Sequence, residues 1–364
     1  MHQSSDAGRA LEPDADSKEA SRMMSNPKQA VREIYPLGFP WKTSDPFLFC
    51  VHHDDSYPKG NKDMGPAVSL AGRNIGQDFA GIDGWRMYHG DVVPGFPRHP
   101  HRGFETVTVV RTGLLDHSDS LGATARYGGG DVQWLTAGKG INHAEMFPLV
   151  DSENANPLEL FQIWLNLPRV DKMVDPYFTM LWDNTIPKHS LRDAKGKAIH
   201  ITTVAGRYGE ADMPSPPPSS WASNPDSNVA IWTIKMEAGA KWTLPSVPAG
   251  VMRNLYFFRG SGLKIGGQAI PDYRGVELAD GVEIPLHSGA EEIEMLLLQG
   301  RPIGEPVSKY GPFVMNTRAE IEQAYTDYRR TEFGGWPWDR DDHVHPRTEG
   351  RFAQHADGKK ERPT

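Results

Sequence analysis

Residues 95–113 read GFPRHPHRGFETVTVVRTG, a histidine-bearing segment that leads into a strand-forming one. It spaces His99, His101 and Glu105 two and four residues apart. The run that follows, residues 106–110, consists of β-branched Thr and Val, which favour strands. Because side chains at i, i+2 and i+4 of a strand lie on one face, the spacing predicts that both imidazoles and the carboxylate converge.

A second stretch, residues 128–146, reads GGGDVQWLTAGKGINHAEM and repeats this spacing. His143 and Glu145 stand two residues apart, so their side chains also share one face of a strand. Three imidazoles and a carboxylate from two strands predict a transition-metal centre with coordination positions left for small molecules. A His-x-His pair alone is weak evidence, because His343 and His345 form another without a strand pattern. That second pair would bind a metal only if its segment were held in place.

The length and composition of the chain favour a two-domain, all-β protein. A single hydrophobic core rarely grows past about 250–300 residues, and this chain has 364. It contains 37 Gly and 30 Pro, and short strand-like runs alternate with turns along most of its length. This pattern predicts strands rather than helices in both domains.

The charge and the cysteine content restrict the function classes. A net charge of −8 argues against direct nucleic-acid binding, which requires basic surfaces. The sequence has no apolar run long enough to cross a membrane and no apolar signal segment near its start. Cys50 is the single cysteine and lies in an apolar run, so it is expected to be a small buried side chain in a reducing compartment. The protein is therefore predicted to be cytoplasmic.

The two histidine stretches resemble the first motif of cupins and, more narrowly, the sequences of pirins. Residues 96–107 and 130–146 match the pirin pattern nearly position for position. PIGEPV at 302–307 and YGPFVMNT at 310–317 also resemble pirin sequence, so the similarity extends over roughly residues 35–333. The resemblance implies two tandem cupin domains, each a jelly-roll β-barrel, with a C-terminal α-helix that packs back against the barrels.

The expected organisation has six segments. They are a disordered leader (1–30, with Met23 or Met24 as alternative starts), an N-terminal metal-binding cupin domain (31–170), an inter-domain connection (171–198), a C-terminal metal-free cupin domain (199–316), a C-terminal helix (317–333) and a loosely ordered tail (334–364). The helix begins with a capping box, Thr317 to Glu320, and continues with apolar residues at helical spacing.

The second domain is expected to keep the fold without the ligands. Aligning Arg111 with Arg259 places Val247 and Ala249 where the first half has its two spaced histidines. Arg253 then stands where the first half has its glutamate. This alignment predicts one metal site in the whole chain.

Three shorter features carry predictions of their own. His52 and His53 are adjacent, so at most one of them faces the barrel interior, and a turn or rim position is favoured for the pair. Residues 67–70 and 85–89 are predicted to form short strands. The proline-rich stretch 213–220 is expected to be a stiff surface loop rather than a ligand for proline-binding partners.

The pirin resemblance implies that His99, His101, His143 and Glu145 bind the metal, with Glu105 close by. Many cupins use the glutamate of the first motif, here Glu105, as the fourth ligand instead. Glu145 could also accept a proton from a substrate hydroxyl, as a general base. The resemblance implies Fe(II), while the ligand types also suit Mn, Ni, Cu or Zn.

The resemblance also implies two functions of different classes. The first is a metal-dependent dioxygenase of the quercetin 2,3-dioxygenase type, which cleaves flavonols with O₂. The second is a redox-sensing regulatory protein that binds a transcription factor or metabolic enzyme according to its Fe(II)/Fe(III) state. A third hypothesis is a storage or structural protein of two cupin domains, in which the bound metal has neither a catalytic nor a regulatory role.

Overall fold

A computed structural model of the protein describes residues 30–363. Apart from Ala30, the predicted leader and both alternative starts therefore lie outside the described residues. The fold is all-β with a C-terminal helix, as predicted. None of the helices within residues 30–363 is long and apolar enough to cross a membrane.

Strands account for nearly all the regular structure. In the first half they are β1 (Val31–Pro36), β2 (Phe47–Tyr57), β3 (Gly95–His101), β4 (Phe104–Thr112), β5 (Leu114–Asp119), β6 (Thr124–Gly128), β7 (Val132–Thr136), β8 (Ile141–Met146), β9 (Asn156–Asn166) and β10 (Tyr177–Leu181). In the second half they are β11 (Lys188–Arg192), β12 (Ala198–Ala205), β13 (Ala230–Met236), β14 (Lys241–Leu244), β15 (Met252–Arg259), β16 (Lys264–Ile265), β17 (Gln268–Ala269), β18 (Arg274–Leu278), β19 (Ile284–His287), β20 (Ile293–Gly300), β21 (Ser308–Tyr310) and β22 (Phe313–Met315).

The C-terminal part contains the helix and two more short strands. They are α1 (Arg318–Thr331), β23 (Phe352–Gln354) and β24 (Lys360–Glu361). Single 3₁₀ turns occur at Ile82–Gly84, Arg169–Asp171, Trp221–Ser223, Pro225–Ser227 and Glu332–Gly334.

Each half of the chain forms a barrel from two facing sheets. The first barrel pairs a five-stranded sheet, ordered β10-β7-β4-β9-β2, with a six-stranded sheet, ordered β24-β23-β6-β5-β8-β3. The second barrel pairs a seven-stranded sheet, ordered β1-β18-β15-β20-β13-β12-β11, with a four-stranded sheet, ordered β14-β19-β16-β17. Buried aliphatic and aromatic side chains fill both interiors.

The five-stranded sheet of the first barrel packs against the seven-stranded sheet of the second through a third apolar core. Val107 and Ile163 of the first barrel and Tyr256 and Leu296 of the second belong to this core, and all four are fully buried. Cys50 lies in it too, which confirms its prediction as a small buried side chain. The central strands β4, β15 and β20 of these sheets are buried on both faces along most of their length.

Several segments pair across the boundaries predicted from the sequence. β10 and β11 lie in the predicted inter-domain connection, and they extend sheets of the first and the second barrel, respectively. β1 pairs with β18 and so extends the sheet of the second barrel rather than the first. β23 pairs with β6 of the first barrel, and the buried Arg126 donates to the backbone carbonyls of His345, Pro346 and Glu349. The prediction of a loosely ordered tail is therefore wrong: the tail completes the first barrel.

Helix α1 begins with the predicted capping box, in which Thr317 Oγ1 accepts from the backbone N–H of Glu320. Its buried residues, Ile321 and Ala324, pack against Phe313 of β22, so the helix lies back on the body of the protein. Residues 67–70 and 85–89 are not strands: the first segment is irregular, and the second is irregular apart from isolated bridges at Tyr88 and a turn at His89.

Candidate metal centre

Two antiparallel strands, β3 and β8, bring the three histidines of the predicted site together. His99 stands directly opposite His143 in the register, and His101 stands opposite Ile141. One ring nitrogen of each of His99, His101 and His143 lies within 4.8 Å of the others. The ring centroids of these histidines are 4.4–4.9 Å apart.

Backbone carbonyls orient two of these rings. His99 Nδ1 is 2.8 Å from the carbonyl oxygen of Pro97, and His101 Nδ1 is 3.4 Å from that of Pro312. A carbonyl can only accept, so each Nδ1 carries the proton and each Nε2 keeps its lone pair. Such outer hydrogen bonds are typical of histidines that bind metals through the other nitrogen.

The third ring has no such partner. Both nitrogens of the fully buried His143 lack a hydrogen-bond partner among the described residues. An unsatisfied buried polar atom costs about 1–3 kcal/mol, so two on one ring require compensation. A cation bound beside His99 and His101 would satisfy one of the two nitrogens, and the donor set therefore fits a metal ion.

Burial keeps the three imidazoles neutral, which is the state that binds metals. It lowers the pKa of His99 to about 4. It also lowers the pKa of His101 and of His143 well below the ordinary value, and the neighbouring histidines act in the same direction.

Glu145 lies on the same face of β8 as His143, and the two side chains approach within 4.0 Å. Its carboxylate accepts hydrogen bonds from Thr108 Oγ1, at 3.1 Å, and from Gln162 Nε2, at 2.9 Å. Burial raises the pKa of Glu145 to about 7, although both hydrogen bonds oppose this shift. The carboxylate is thus held in one orientation beside the imidazole cluster.

Glu105 does not reach this cluster, so the predicted convergence with His99 and His101 is wrong. The strand breaks between β3 and β4, at Gly103, which has a φ of 84°. A Cβ on Gly103 would lie 2.0 Å from the backbone oxygen of Val314, so the turn requires glycine. After the break Phe104 packs on the ring of His101 instead.

The carboxylate of Glu105 is directed away from the histidines, toward the junction of the two barrels. It accepts from Thr136 Oγ1 at 2.7 Å and from Ser220 Oγ at 2.5 Å. Ser220 is buried at the end of the proline-rich stretch, which is therefore not a simple surface loop. Burial raises the pKa of Glu105 to about 7, against the effect of these hydrogen bonds.

A cavity of about 210 Å³ adjoins the histidine cluster. Apart from the polar groups already described, its walls are almost entirely apolar. The apolar wall residues are Phe39, Phe49, Val51, Phe79, Phe96, Leu115, Phe147, Leu160 and Trp164. Phe39 and Phe79 are exposed and so form its mouth.

His53 also lines this cavity, where the sequence favoured a turn or rim position. β2 continues to Tyr57, so His53 faces inward on the same side as Val51. Its Nδ1–H donates to Tyr88 Oη at 2.7 Å, and Tyr88 in turn donates to Asp55 at 2.6 Å. Buried positions alternate with less buried ones from Val51 to Tyr57, but His53 and Asp55 are polar, so no apolar alternation in the sequence marks this face.

Two other histidine groups occur in the described region. His52, Asp54 and Glu159 also bring ligand atoms within 4.8 Å of one another, but Arg259 forms ion pairs with both acids there. His345 of the tail pair is buried and 3.0 Å from Thr124 Oγ1, so it has a structural partner.

Comparisons with known proteins agree with this architecture. The family model for pirin matches residues 32–165, and the model for the pirin C-terminal cupin domain matches residues 231–334. A Pseudomonas aeruginosa protein named "Putative quercetin 2,3-dioxygenase" is 38% identical over 240 residues, which is 66% of this chain and 79% of that protein. Human pirin is 36% identical over 252 residues, or 68% of this chain and 80% of pirin.

Solved structures give the same result. A crystal structure of quercetin 2,3-dioxygenase from Acinetobacter baumannii is 28% identical, with a TM-score of 0.64. The similarity covers 84% of this chain and 96% of that one. With matches to both pirin domains and to full-length relatives, the chain belongs to the pirin family of the cupin superfamily.

Proposed function

We propose that the protein is a metal-dependent dioxygenase of the quercetin 2,3-dioxygenase type. The observation that carries the proposal is the cluster of three neutral imidazoles and one oriented carboxylate at the wall of an apolar cavity. The name of the Pseudomonas aeruginosa relative and the activity named for the Acinetobacter baumannii structure support the same reaction class.

The proposed ligands are His99, His101, His143 and Glu145. Fe(II) is the metal we expect, and Mn, Ni, Cu or Zn also suit this donor set. The bound metal would supply a Lewis-acid and redox centre with open positions for a substrate oxygen and for O₂. The protein residues provide the orientation: the carbonyls of Pro97 and Pro312 orient the rings of His99 and His101. Thr108 and Gln162 orient the carboxylate of Glu145.

The cavity favours a flat, aromatic substrate with a polar edge, which is the chemistry of a flavonol. Its phenylalanine and tryptophan side chains would pack against the ring system and exclude water. The exposed rings of Phe39 and Phe79 would extend this apolar contact beyond the interior, which itself measures only about 210 Å³.

Glu145 would act as the base for the substrate hydroxyl, in addition to its role as a ligand. Glu145 is the carboxylate on the cavity wall, whereas Glu105 of β4 is directed away from the cavity, toward Ser220. Thr108 and Gln162 hold the two oxygens of Glu145 in place, so a proton transferred to one of them would stay at a defined position.

An aerobic assay with purified, iron-loaded protein tests this function. Quercetin is added and the loss of its absorbance is followed, with a His101→Ala variant as the control. We expect loss in the wild type and none above background in the variant. Equal rates in the two proteins, or no loss in either, would refute flavonol cleavage at this site.

A regulatory function is the second proposal, and a connection between the cluster and helix α1 favours it. The backbone oxygen of Pro312 accepts a hydrogen bond from His101. The backbone oxygen of the neighbouring Arg102 accepts from the N–H of Val314 at 3.0 Å. The Arg102 guanidinium also forms an ion pair with Asp327 of α1 at 2.9 Å. A change of charge at the metal would act on this connection and so on the surface around α1.

Hydrogen–deuterium exchange on the ferrous and the ferric protein tests this second function. We expect the exchange rates of residues 318–331 to differ between the two states. An Arg102→Met variant, which cannot pair with Asp327, should show a smaller difference. Identical exchange of α1 in both oxidation states would contradict a redox signal at this surface.

A further inference from the structure

A second and larger cavity, of about 1370 Å³, opens at the end of the second barrel. It lies between the proline-rich stretch 213–220 and the ends of strands β13, β15 and β20. It is separate from the histidine cluster, and none of the four proposed metal ligands lines it.

Arg253 lines this cavity in an environment that is unusual for a cation. It lies on β15 opposite Gln299 of β20, on the face that also carries the core residues Leu255 and Leu297. Its side chain is buried, with 1% of the residue exposed. Within the described chain it forms no ion pair with a carboxylate, so the charge enters the barrel without a counterion.

Two nitrogens of Arg253 have partners, and one does not. Nε donates to Gln299 Oε1 at 3.1 Å, and Nη2 donates to the backbone oxygen of Pro245 at 3.0 Å. Nη1 has no partner among residues 30–363. Both partners are neutral and both line the same cavity, so they fix the guanidinium at its wall and leave a donor unused.

A buried charge without a counterion is unfavourable, so this arrangement favours a site for an anion beside Arg253. Buried charges in proteins are almost always paired, because an unpaired one loses its hydration without replacement. Burial lowers the pKa of Arg253 to about 10, with Asp280 opposing the shift, so the group remains charged at neutral pH. Arg207 also lines the cavity, where Asp212 is the carboxylate, and the wall is therefore cationic overall.

The remaining walls are suited to the body of an organic molecule. Trp232 and Tyr208 present aromatic surface at 5.6 Å from each other, and Met213 and several prolines face them across the cavity. The stretch that carries Met213 is anchored, since Thr203 Oγ1 donates to its sulfur and Ser220 is held by Glu105.

We propose that this cavity is a second ligand site, which takes a small molecule with an oxyanion on a flat apolar body. Arg253 Nη1 is covered in this structure, so the oxyanion, a carboxylate or a phosphate, reaches it by displacing the groups that cover it. It then accepts from Nη1 and neutralises the charge. The apolar body packs between Trp232 and the proline-rich stretch. The site is independent of the metal centre and does not rest on the proposed dioxygenase activity.

Methyl NMR on protein labelled at methionine tests this proposal, with Met213→Leu used to assign the Met213 methyl signal. Sodium benzoate and phenyl phosphate are the charged probes, and benzamide is the neutral probe of the same shape. We expect at least one charged probe to shift the Met213 signal saturably. Benzamide should need a concentration at least roughly tenfold higher than the tighter charged probe to give the same shift, because it lacks the charge-assisted hydrogen bond. Which charged probe binds more tightly distinguishes a carboxylate site from a phosphate site.

Variants locate the binding. Arg253→Met should weaken the tighter charged probe at least roughly tenfold, whereas Arg207→Met, which removes the exposed cation, should change it little. His99→Ala should leave binding intact, since the metal centre takes no part. An unmoved Met213 signal, equal binding of benzamide, or wild-type affinity in Arg253→Met would overturn the proposal. If Arg253→Met does not fold, the comparison of probes on the wild-type protein decides.

Discussion

Replacing Glu105 with glutamine tests where this carboxylate lies and what its burial costs. In the folded protein burial raises the pKa of Glu105 from its ordinary 4.5 to about 7, despite the bonds from Ser220 and Thr136. The folded state therefore binds this proton more tightly than the unfolded state does. Between about pH 4.5 and pH 7 the unfolding free energy must fall as the pH rises, and above pH 7 the full cost is present.

The difference between 4.5 and about 7 corresponds to about 3 kcal/mol of unfolding free energy. Glutamine has the same shape and no charge, and the hydroxyls of Ser220 and Thr136 can rotate to match its amide. We expect Glu105→Gln to resemble the wild type near pH 4.5 and to exceed its unfolding free energy by up to about 3 kcal/mol at pH 8.

Urea unfolding followed by tryptophan fluorescence from pH 4.5 to pH 8.5 measures this difference, on metal-free protein of both types. Metal content after reloading, measured by elemental analysis, should be the same in the variant and the wild type, because Glu105 lies away from the histidines. Parallel pH profiles of the two proteins would refute the buried position of this carboxyl. A lower metal content in the variant than in the wild type would show that Glu105 does bind the metal.

Three further predictions concern other buried polar groups. His143→Ala should lower metal affinity by more than roughly a hundredfold without destabilising the metal-free protein, as measured by metal titration and thermal unfolding, because both ring nitrogens are unsatisfied there. Burial alone would raise the pKa of Glu159, but His52, Arg111 and Arg259 together lower it to about 2. Glu159→Gln should therefore lower the unfolding free energy at pH 7, and the difference should shrink as the pH falls from about 4.5 toward 2; a difference that grows in acid contradicts this. Arg102→Met should speed hydrogen exchange in α1, since the ion pair with α1 is lost, and unchanged exchange would show that this pair does not hold the helix.

Much of the metal centre could be predicted because its geometry is local. The spacing of His99 and His101, and of His143 and Glu145, places each pair on one face of its strand whatever the rest of the chain does. The capping box at Thr317 is local in the same way, and the helix begins where it predicts. The resemblance to pirins then chose between the two glutamates, which the spacing alone could not do.

The errors have long-range causes. The spacing predicts Glu105 beside the histidines only if residues 99–105 form one strand, but the strand breaks at Gly103, where Val314 approaches too closely for a side chain. The two aspartates after His53 favour a turn or rim position for the pair His52 and His53, whereas pairing with β9 keeps β2 extended as far as Tyr57. In each case a residue distant in sequence overrode a local preference.

The amino-acid sequence by itself determined the all-β class, the two-barrel plan and the four side chains that meet or border the histidine cluster. Only the tertiary structure decided that Glu105 is directed away from that cluster, which strands and tail segments complete each barrel, and that Arg253 is buried without a counterion. The physical reason is the distance along the sequence between the residues that interact. Strand alternation and helix capping act between neighbours in the chain, whereas register, burial and charge pairing depend on residues that meet only after folding.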